Sequence, residues 1–253
     1  MNEARDVRLE PPNPLRRLLG DIGALAEANK VRAFAVGGCV RDWLKEIASG
    51  QDLDVAIEGD GRAFARALAQ RLDAPLETHE PFGTATIALT RPRRLRIDVA
   101  TCRRETYAHP AAYPHVEDAT LGEDLKRRDF TINALAMALN PPVFGALKDP
   151  FNGVADLKAR RLRVLHERSF IDDPSRILRG VRFAQRFGLR WEKETERLMR
   201  EAIAAGALGR LNAGRVAKEM ERMTEEPDPA ACFRALGRIL RDVGTGAEPA
   251  QTE

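Results

Sequence analysis

The sequence has 253 residues and a mass of 28.1 kDa, and its residues are 43% hydrophobic, 31% charged and 6% aromatic. This length fits one large domain or two modest ones, and this composition excludes a stapled mini-protein and a disordered chain. The net charge is only +3, and the absence of an apolar run of roughly 18 residues, or of a secretory signal, leads us to expect a cytoplasmic protein without membrane contact.

The cysteines and histidines do not predict a metal or disulfide centre. Cys39, Cys102 and Cys232 are odd in number, widely spaced and without a C-x-x-C pair. None of the four histidines has metal-ligand spacing such as H-E-x-x-H. Chemistry is therefore expected from other residue types.

The first half of the chain alternates predicted helices and strands. Residues through Pro14 are expected to form a loose arm, and the apolar spacing of LRRLLGDIGALAEANK predicts a helix after it. Strand signals follow in VRAFAV, DLDVAI, TATIALT and RLRIDVAT, and helix signals in CVRDWLKEIASG, which Gly50 ends, and in GDGRAFARALAQRL. This alternation is typical of a mixed domain of strands and helices.

The second half is predicted to be helical. The candidate helices are FTINALAMAL, DDPSRILRGVRFAQRFGL, EKETERLMREAIAAG, AGRVAKEMERM and AACFRALGRIL. A Pro- and Gly-containing segment, residues 141–165, reads as a set of turns and a hinge. We expect an arm and helix over 1–30, a strand-containing domain over 31–150, a helical region over 151–243 and a disordered tail over 244–253.

Three acidic residues lie on predicted strands and are candidates for a metal site. Asp52 and Asp54 flank Leu53, and the period of two places both carboxylates on one face of their strand. Asp98 leaves the otherwise apolar strand RLRIDVAT in the same manner. If the two strands are neighbours, the three carboxylates converge, and their repulsion is costly unless a cation such as Mg²⁺ neutralises it. A polar strand edge is the alternative for the D-x-D pattern taken alone.

A glycine pair precedes these acids at the end of a predicted strand. Gly37 and Gly38 lack Cβ atoms, so their backbone N–H groups can approach a phosphate at the start of the next helix. Arg41 follows in the first turn of that helix. Many such pairs only form a tight turn, so the position ahead of D-x-D is what favours a phosphate site.

Several motifs in this order resemble one family, that of class II tRNA nucleotidyltransferases and bacterial poly(A) polymerases, within the polymerase-beta-like nucleotidyltransferases. GGCVRD followed by DLD is similar to its opening signature, and RRDFTINALA, DPFNGVADL and DDPSRILRGVRFAQRFG resemble its ribose, hinge and nucleobase motifs. FGT at 82–84 and RRETY at 103–107 also fit. The resemblance implies an α+β fold: a nucleotidyltransferase head with a small mixed sheet, then an all-helical neck and a shortened body.

The resemblance also implies roles for individual residues. Asp52 and Asp54 would hold two Mg²⁺ ions, and Asp98 would be the third catalytic carboxylate, acting on the primer 3′-hydroxyl. The remaining roles are triphosphate binding for Gly37, Gly38 and Arg41, ribose recognition for Arg128 and Asp129, and nucleobase selection for Asp173 and Arg176. Asp172 departs from the family, which usually has glutamate there.

The helical half is rich in arginine. Nine arginines lie between Arg160 and Arg190 against three acids, an arrangement that can hold phosphates. Arg179 and Arg182 continue the helical face of Arg176 and are candidate contacts to RNA or nucleotide. A basic structural helix is the alternative, most clearly for Arg182.

The activity implied is template-independent addition of CMP and AMP, from CTP and ATP, to the 3′ end of tRNA. CC-only addition, A-only addition and poly(A) synthesis are alternatives, and a non-catalytic RNA-binding remnant is less favoured because the acidic residues are retained. A candidate specificity loop, residues 108–125, is present and favours an enzyme able to add A over one that stops at CC. Most of the family's tRNA-anchoring region is missing, so we expect a compact variant, a truncated gene or a partner chain; the oligomeric state stays open.

Overall fold

The computed structural model describes residues 7–47, 51–79, 83–90 and 94–244. These residues form two compact units. The first unit takes its residues from 1–105, 116–128 and 132–154, and the second from 106–115, 129–131 and 155–253. The chain therefore passes between the units several times, and the simple division expected at residues 150 and 151 stays a prediction.

The described elements include both strands and helices, as the α+β expectation requires. The strands are β1 (Arg32–Val36), β2 (Asp52–Glu58), β3 (Leu76–His79), β4 (Thr84–Leu89), β5 (Leu95–Thr101), β6 (Arg103–Thr106), β7 (His115–Asp118), β8 (Ala136–Ala138), β9 (Leu147–Lys148), β10 (Arg161–Leu162) and β11 (Arg190–Trp191). The helices are α1 (Asn13–Ala28), α2 (Gly38–Leu44), α3 (Gly61–Leu72), α4 (Leu121–Lys126), α5 (Gly153–Lys158), α6 (Ser169–Asp172), α7 (Ser175–Phe187), α8 (Lys193–Ala204), α9 (Ala213–Thr224) and α10 (Pro229–Gly244).

A seven-stranded mixed sheet organises the first unit, in the order β3-β4-β5-β2-β1-β8-β9. β2 and β5 pair in parallel, and β1 pairs antiparallel with both β2 and β8. Leu53, Val55 and Ile57 of β2 are buried, as their alternation predicts. α1 and α3 contribute the buried residues Leu19, Ile22, Phe64 and Leu68 to this core.

The prediction of a helix over FTINALAMAL is wrong. Residues Thr131–Asn133 form a single 3₁₀ turn, and Ala136–Ala138 form β8. Every residue of this segment is buried, so its apolar residues show no period that separates a strand from a helix. Pairing with β1 decides the outcome, because the sheet supplies the backbone hydrogen bonds.

Further expectations need correction. Arg8 and Leu9 of the expected loose arm pair with Ala146 and Gly145, and α1 already begins at Asn13. The expected loop 108–125 contains β7 and most of α4. The strand β3 was not predicted, because its residues LETH alternate only weakly in hydrophobicity. The helix expected to run to Gly50 is also too long, since α2 ends at Leu44 with Lys45 as its C-cap. Gly50 itself and the expected tail beyond Gly244 lie outside the described residues.

The second unit is helical, and aromatic residues form part of its core. Phe130 contacts the rings of Phe170, Phe183 and Trp191 at centroid distances of 6.1–6.5 Å. Gly180 of α7 lets them approach, since an added Cβ would lie 2.1 Å from the Trp191 ring. α7 and α9 with α10 surround a further cluster that includes Leu178, Val181 and Met223. None of the described helices combines the length and the apolar character that a membrane crossing requires.

Candidate functional site

The acidic residues lie on the two parallel strands of the sheet. In the β2–β5 register Asp54 is opposite Asp98, and Asp52 is opposite Arg96. The strands are therefore neighbours, as the convergence of the three carboxylates requires. Asp52 is exposed, whereas Asp54 and Asp98 are half-buried.

Two neighbouring side chains donate hydrogen bonds to the carboxylate of Asp98. Its Oδ1 accepts a hydrogen bond of 2.6 Å from Thr86 Oγ1 and one of 3.0 Å from Arg96 Nε. The described residues contain no group of three or more His, Cys, Asp or Glu side chains arranged to hold a metal ion. The structure therefore brings the three acids to adjacent strand positions, with Oδ1 of Asp98 hydrogen-bonded to Thr86 and Arg96. Their joint binding of a metal ion stays a prediction.

The electrostatics of Asp54 nevertheless suit a bound cation. Desolvation raises the pKa of Asp54, and the negative charges of Asp98 and Asp52 add to that rise while Arg128 opposes it. A divalent cation would offset both effects, and carboxylate oxygens are the ligands that Mg²⁺ prefers. Asp52 and Asp54 thus fit the role of metal ligands through their carboxylate oxygens and their shared strand face.

The glycine pair forms the turn between β1 and α2. Gly37 has φ = +74°, which favours glycine, and its N–H donates to the carbonyl of Leu135 at 2.9 Å. A Cβ on Gly37 would lie 2.7 Å from Nη1 of Arg128, so the missing side chain makes room for that guanidinium group. The turn and Arg128 therefore meet at one place.

Arg41 is less accessible than a triphosphate ligand is expected to be. Its side chain is 4% exposed, donates from Nε to Asp42 at 2.8 Å, and also donates from Nη1 to Asn133. These contacts join α2 to the segment that precedes β8. The assignment of Arg41 to triphosphate binding stays a prediction.

The two residues predicted to recognise ribose are anchored by different partners. Within the first unit, Arg128 donates from Nη2 to Asp124 Oδ2 at 2.9 Å. Within the second unit, Asp129 accepts from Nε and Nη2 of Arg179 at 2.9 and 2.6 Å. The charges of Asp129 and Glu219 outweigh the effect of burial and raise the pKa of Arg179. Arg179 is thereby committed to an ion pair.

The two residues predicted to select the base lie on either side of Pro174, at the start of α7. Asp173 Oδ1 accepts from the N–H and Oγ of Ser175, at 2.9 and 2.5 Å, and from Arg215 of α9. Arg176 is 4% exposed and donates from Nη1 to Ser169 Oγ at 2.7 Å. Both side chains are therefore held by neighbours before any ligand binds. Asp172, which stands where the family usually has glutamate, pairs with Arg168 at 3.0 Å.

Arg182 occupies a structural position. It is 7% exposed, donates from Nη1 to Glu226 at 3.1 Å and stacks over the ring of Phe183. Desolvation lowers the pKa of Arg182 against the pull of Glu226 and Glu219. The geometry favours the alternative of a basic structural helix at this position over an RNA contact.

Comparison with known protein families identifies the part of the chain that contains these strands and the glycine turn. Residues 33–163 match the model of the poly A polymerase head domain, which is more than half of the chain. The chain belongs to the poly(A) polymerase head domain family. The resemblance stated from the motifs is confirmed, and the α+β fold with a polymerase-beta-like head is confirmed with it.

Relatives of this head domain family match beyond the head. The chain is 41% identical over 222 residues to an A-adding tRNA nucleotidyltransferase of Halalkalibacterium halodurans, covering 87% of this chain and 51% of that protein. It is 35% identical over 233 residues to a CC-adding tRNA nucleotidyltransferase of Deinococcus radiodurans, covering 91% and 59%. A solved structure of a CCA-adding enzyme in an apo form superposes with a TM-score of 0.85 at 40% identity, covering 93% and 55%. The chain thus spans between about half and three fifths of the length of these three proteins.

Sequence reasoning missed several residues that support the head-domain site. Thr86 and Arg96 hold Asp98, and Asp124 holds Arg128. The i, i+3 and i, i+4 spacing of Asp124 to Arg127 and Arg128 was a signal that could have found this ion-pair group. Phe82 of the FGT motif lies outside the described residues, while Gly83 and Thr84 lead into β4.

Proposed function

We propose that the chain is an enzyme that transfers nucleoside monophosphates from ATP or CTP to the 3′ end of tRNA without a nucleic-acid template. The observation that carries this proposal is the register that places Asp54 opposite Asp98 on parallel strands, in a chain that belongs to the poly(A) polymerase head domain family. The names of the relatives, A-adding and CC-adding tRNA nucleotidyltransferases, support tRNA as the acceptor. Since tRNA is the acceptor, we assign the activity to the cytoplasm.

The strand acids carry the chemistry in this proposal. Asp52 and Asp54 would hold Mg²⁺, which would supply positive charge to activate the primer 3′-hydroxyl and to stabilise the triphosphate and the pyrophosphate leaving group. Oδ1 of Asp98 already accepts from Thr86 and Arg96, so we assign acceptance of the hydroxyl proton to Oδ2. The Gly37 N–H is already used by the Leu135 carbonyl, so the Gly38 N–H of the turn binds the triphosphate, with Gly37 allowing its close approach. Arg128 and Asp129 recognise the ribose.

The base is selected by a pair of protein side chains. Adenine and cytosine both present an amino group that donates hydrogen bonds, at N6 and N4. Asp173 accepts from that amino group, and Arg176 donates to the neighbouring ring nitrogen. Because Ser169, Ser175 and Arg215 hold these two side chains, the pair is preorganised to favour ATP and CTP over GTP and UTP.

Addition of the terminal A is the step that the comparisons favour. The A-adding relative is 41% identical and the CC-adding relative 35% identical. CC addition, full CCA addition and poly(A) synthesis use the same strand acids and base-selecting pair. The nucleotides found on the extended RNA products therefore distinguish these activities.

The test is a primer extension assay with single-nucleotide resolution. The purified protein is incubated with Mg²⁺, labelled ATP or CTP, and tRNA transcripts that end before CCA, after C and after CC. We expect one A on the transcript that ends in CC. A long A ladder or C-only addition would reassign the specificity, and no incorporation on any RNA would refute the proposed activity.

The matched variants are Asp52→Asn with Asp54→Asn, and Glu77→Gln. The double variant is expected to reduce incorporation by at least about 100-fold, because both proposed metal ligands lose their charge. Glu77 is an exposed carboxylate on β3 of the same sheet, so its variant is expected to keep wild-type activity. Full activity in the double variant would contradict the catalytic assignment.

A further inference from the structure

Asp124 is a buried carboxylate that none of the proposed catalytic or binding roles uses. It lies near the end of α4 and is 1% exposed. Oδ1 accepts from Nε and Nη2 of Arg127 at 2.9 and 2.7 Å, and Oδ2 accepts from Nε and Nη2 of Arg128 at 3.3 and 2.9 Å. Each oxygen therefore binds one guanidinium group in a fork.

The charge of Asp124 is maintained by these partners. Burial alone would raise the pKa of this carboxyl, but Arg128 and Arg127 outweigh burial and lower it. Asp124 is therefore ionised at neutral pH. A buried anion with two guanidinium partners directs both of them, because leaving either one unpaired is costly.

Arg128 is directed to the Gly37 turn. The guanidinium occupies the space that a Cβ on Gly37 would fill, at 2.7 Å. Its positive charge also lies close enough to Asp54 to oppose the rise in the pKa of that carboxyl. Asp124, Arg128, the glycine turn and Asp54 thus form one continuous chain of contacts and charges within the first unit.

We propose that Asp124 is a positioning residue, which fixes the guanidinium of Arg128 against the Gly37 turn so that Arg128 meets the incoming nucleotide already oriented. This inference rests on the proposed function, since the nucleotide is its ligand. An arginine side chain has several rotatable bonds, and restraining it before binding lowers the entropy lost on binding. Asp124 itself touches no substrate.

A purely structural role for Asp124 is the competing explanation, and Glu105 provides the matched control. Glu105 is also a buried carboxylate, and its Oε1 accepts from Arg103 Nη2 at 3.0 Å and from Arg127 Nη1 at 2.9 Å. It therefore belongs to the same ion-pair group but does not pair with Arg128. Asp124→Asn and Glu105→Gln each remove one buried charge and preserve shape.

The experiment is a double-mutant cycle on ATP binding in the presence of Mg²⁺, measured by calorimetry with the full chain. Asp124→Asn is expected to weaken ATP binding by roughly tenfold, the size of one charged hydrogen bond. It should also reduce the preference for ATP over 2′-deoxy-ATP. In an Arg128→Ala background the same substitution should change ATP affinity by less than about twofold, because Asp124 acts through Arg128.

The controls separate positioning from folding. Glu105→Gln is expected to keep wild-type ATP affinity, even if its thermal midpoint falls as far as that of Asp124→Asn. Equal losses of ATP affinity in the two variants, or additive losses in the double variant with Arg128→Ala, would overturn the positioning role.

The outcome also separates this inference from the proposed function. ATP binding that shows the coupling, without incorporation on any RNA, would refute the proposed transfer activity and retain the positioning role. Nucleotide incorporation on tRNA together with additive losses of ATP affinity would retain the proposed transfer activity and refute the positioning role. A wild-type protein that does not bind ATP would overturn both.

Discussion

Cys102 shows how burial controls the chemistry of a single residue in this protein. It is fully buried at the end of β5, and burial, with the charges of Asp124 and Glu58, raises its thiol pKa to about 12. Alkylation requires the thiolate. We predict that Cys102 resists iodoacetamide at pH 8 in the folded protein and reacts after unfolding in guanidinium, as read by peptide mass spectrometry. Rapid labelling of Cys102 in the folded chain would contradict its burial.

The residue scale also shows where sequence reasoning succeeds and where it stops. The period of two on β2 correctly placed Leu53 inward, with Asp52 and Asp54 on the opposite face. It could not show that Oδ1 of Asp98 turns to Thr86, because that contact depends on pairing between strands. Contacts between side chains that are distant in sequence were likewise invisible, as the Arg128 to Gly37 approach illustrates.

At the scale of elements, helix α1 carries a matched pair of glycines. Gly20 has open space where a Cβ would be, whereas a Cβ on Gly23 would lie 1.7 Å from the carbonyl oxygen of Leu139. We predict that Gly20→Ala raises the free energy of unfolding by about 0.5–1 kcal/mol, through helix propensity and reduced freedom of the unfolded chain.

Gly23→Ala is predicted to lower the free energy of unfolding by about 2 kcal/mol or more, because α1 must move away from Leu139. Urea unfolding followed by circular dichroism measures both variants. A stable Gly23→Ala protein with an unchanged urea midpoint would show that α1 does not pack as closely as described.

The elements were predictable where hydrophobic spacing was long and regular. The structure has helices and strands at the corresponding predicted segments: α3, α7, α8, β1, β4 and β5 lie within them, whereas α1, α9, α10 and β2 extend past them. β8 was misread because its segment is apolar on every side and only its partner strand distinguishes it. β3 was missed because it lies at the sheet edge with weak alternation.

At the scale of the whole molecule, local charge in the sequence overstates the charge available to a ligand. The segment 160–190 has nine arginines against three acids. Acids elsewhere in the chain neutralise many of these arginines: Asp129 pairs with Arg179, Glu226 pairs with Arg182 and Arg186, and Asp156 pairs with Arg161 and Arg163. Sequence counting could not reveal this, because the partners lie up to about 50 positions away.

Arg160 and Arg190 differ from the rest of the segment. Both are exposed, no ion pair joins either to another described residue, and the Arg190 N–H donates to the Arg160 carbonyl at 2.8 Å. They are therefore the arginines of this segment best placed to meet a phosphate. Each contact with a nucleic-acid phosphate releases about one counterion. It adds about 0.7–0.9 to the magnitude of the slope of log affinity against log salt concentration.

We therefore predict that Arg160→Gln with Arg190→Gln lowers the magnitude of the slope of log affinity for tRNA against log salt concentration by about 1.4–1.8. Arg182→Gln should leave that slope unchanged and lower the thermal midpoint instead, because it removes a partner from the buried Glu226. Filter binding between about 50 and 300 mM KCl measures the slopes. An unchanged slope in the double variant would mean that this segment's excess of arginine serves the internal ion pairs of the helical unit and contributes little to RNA binding.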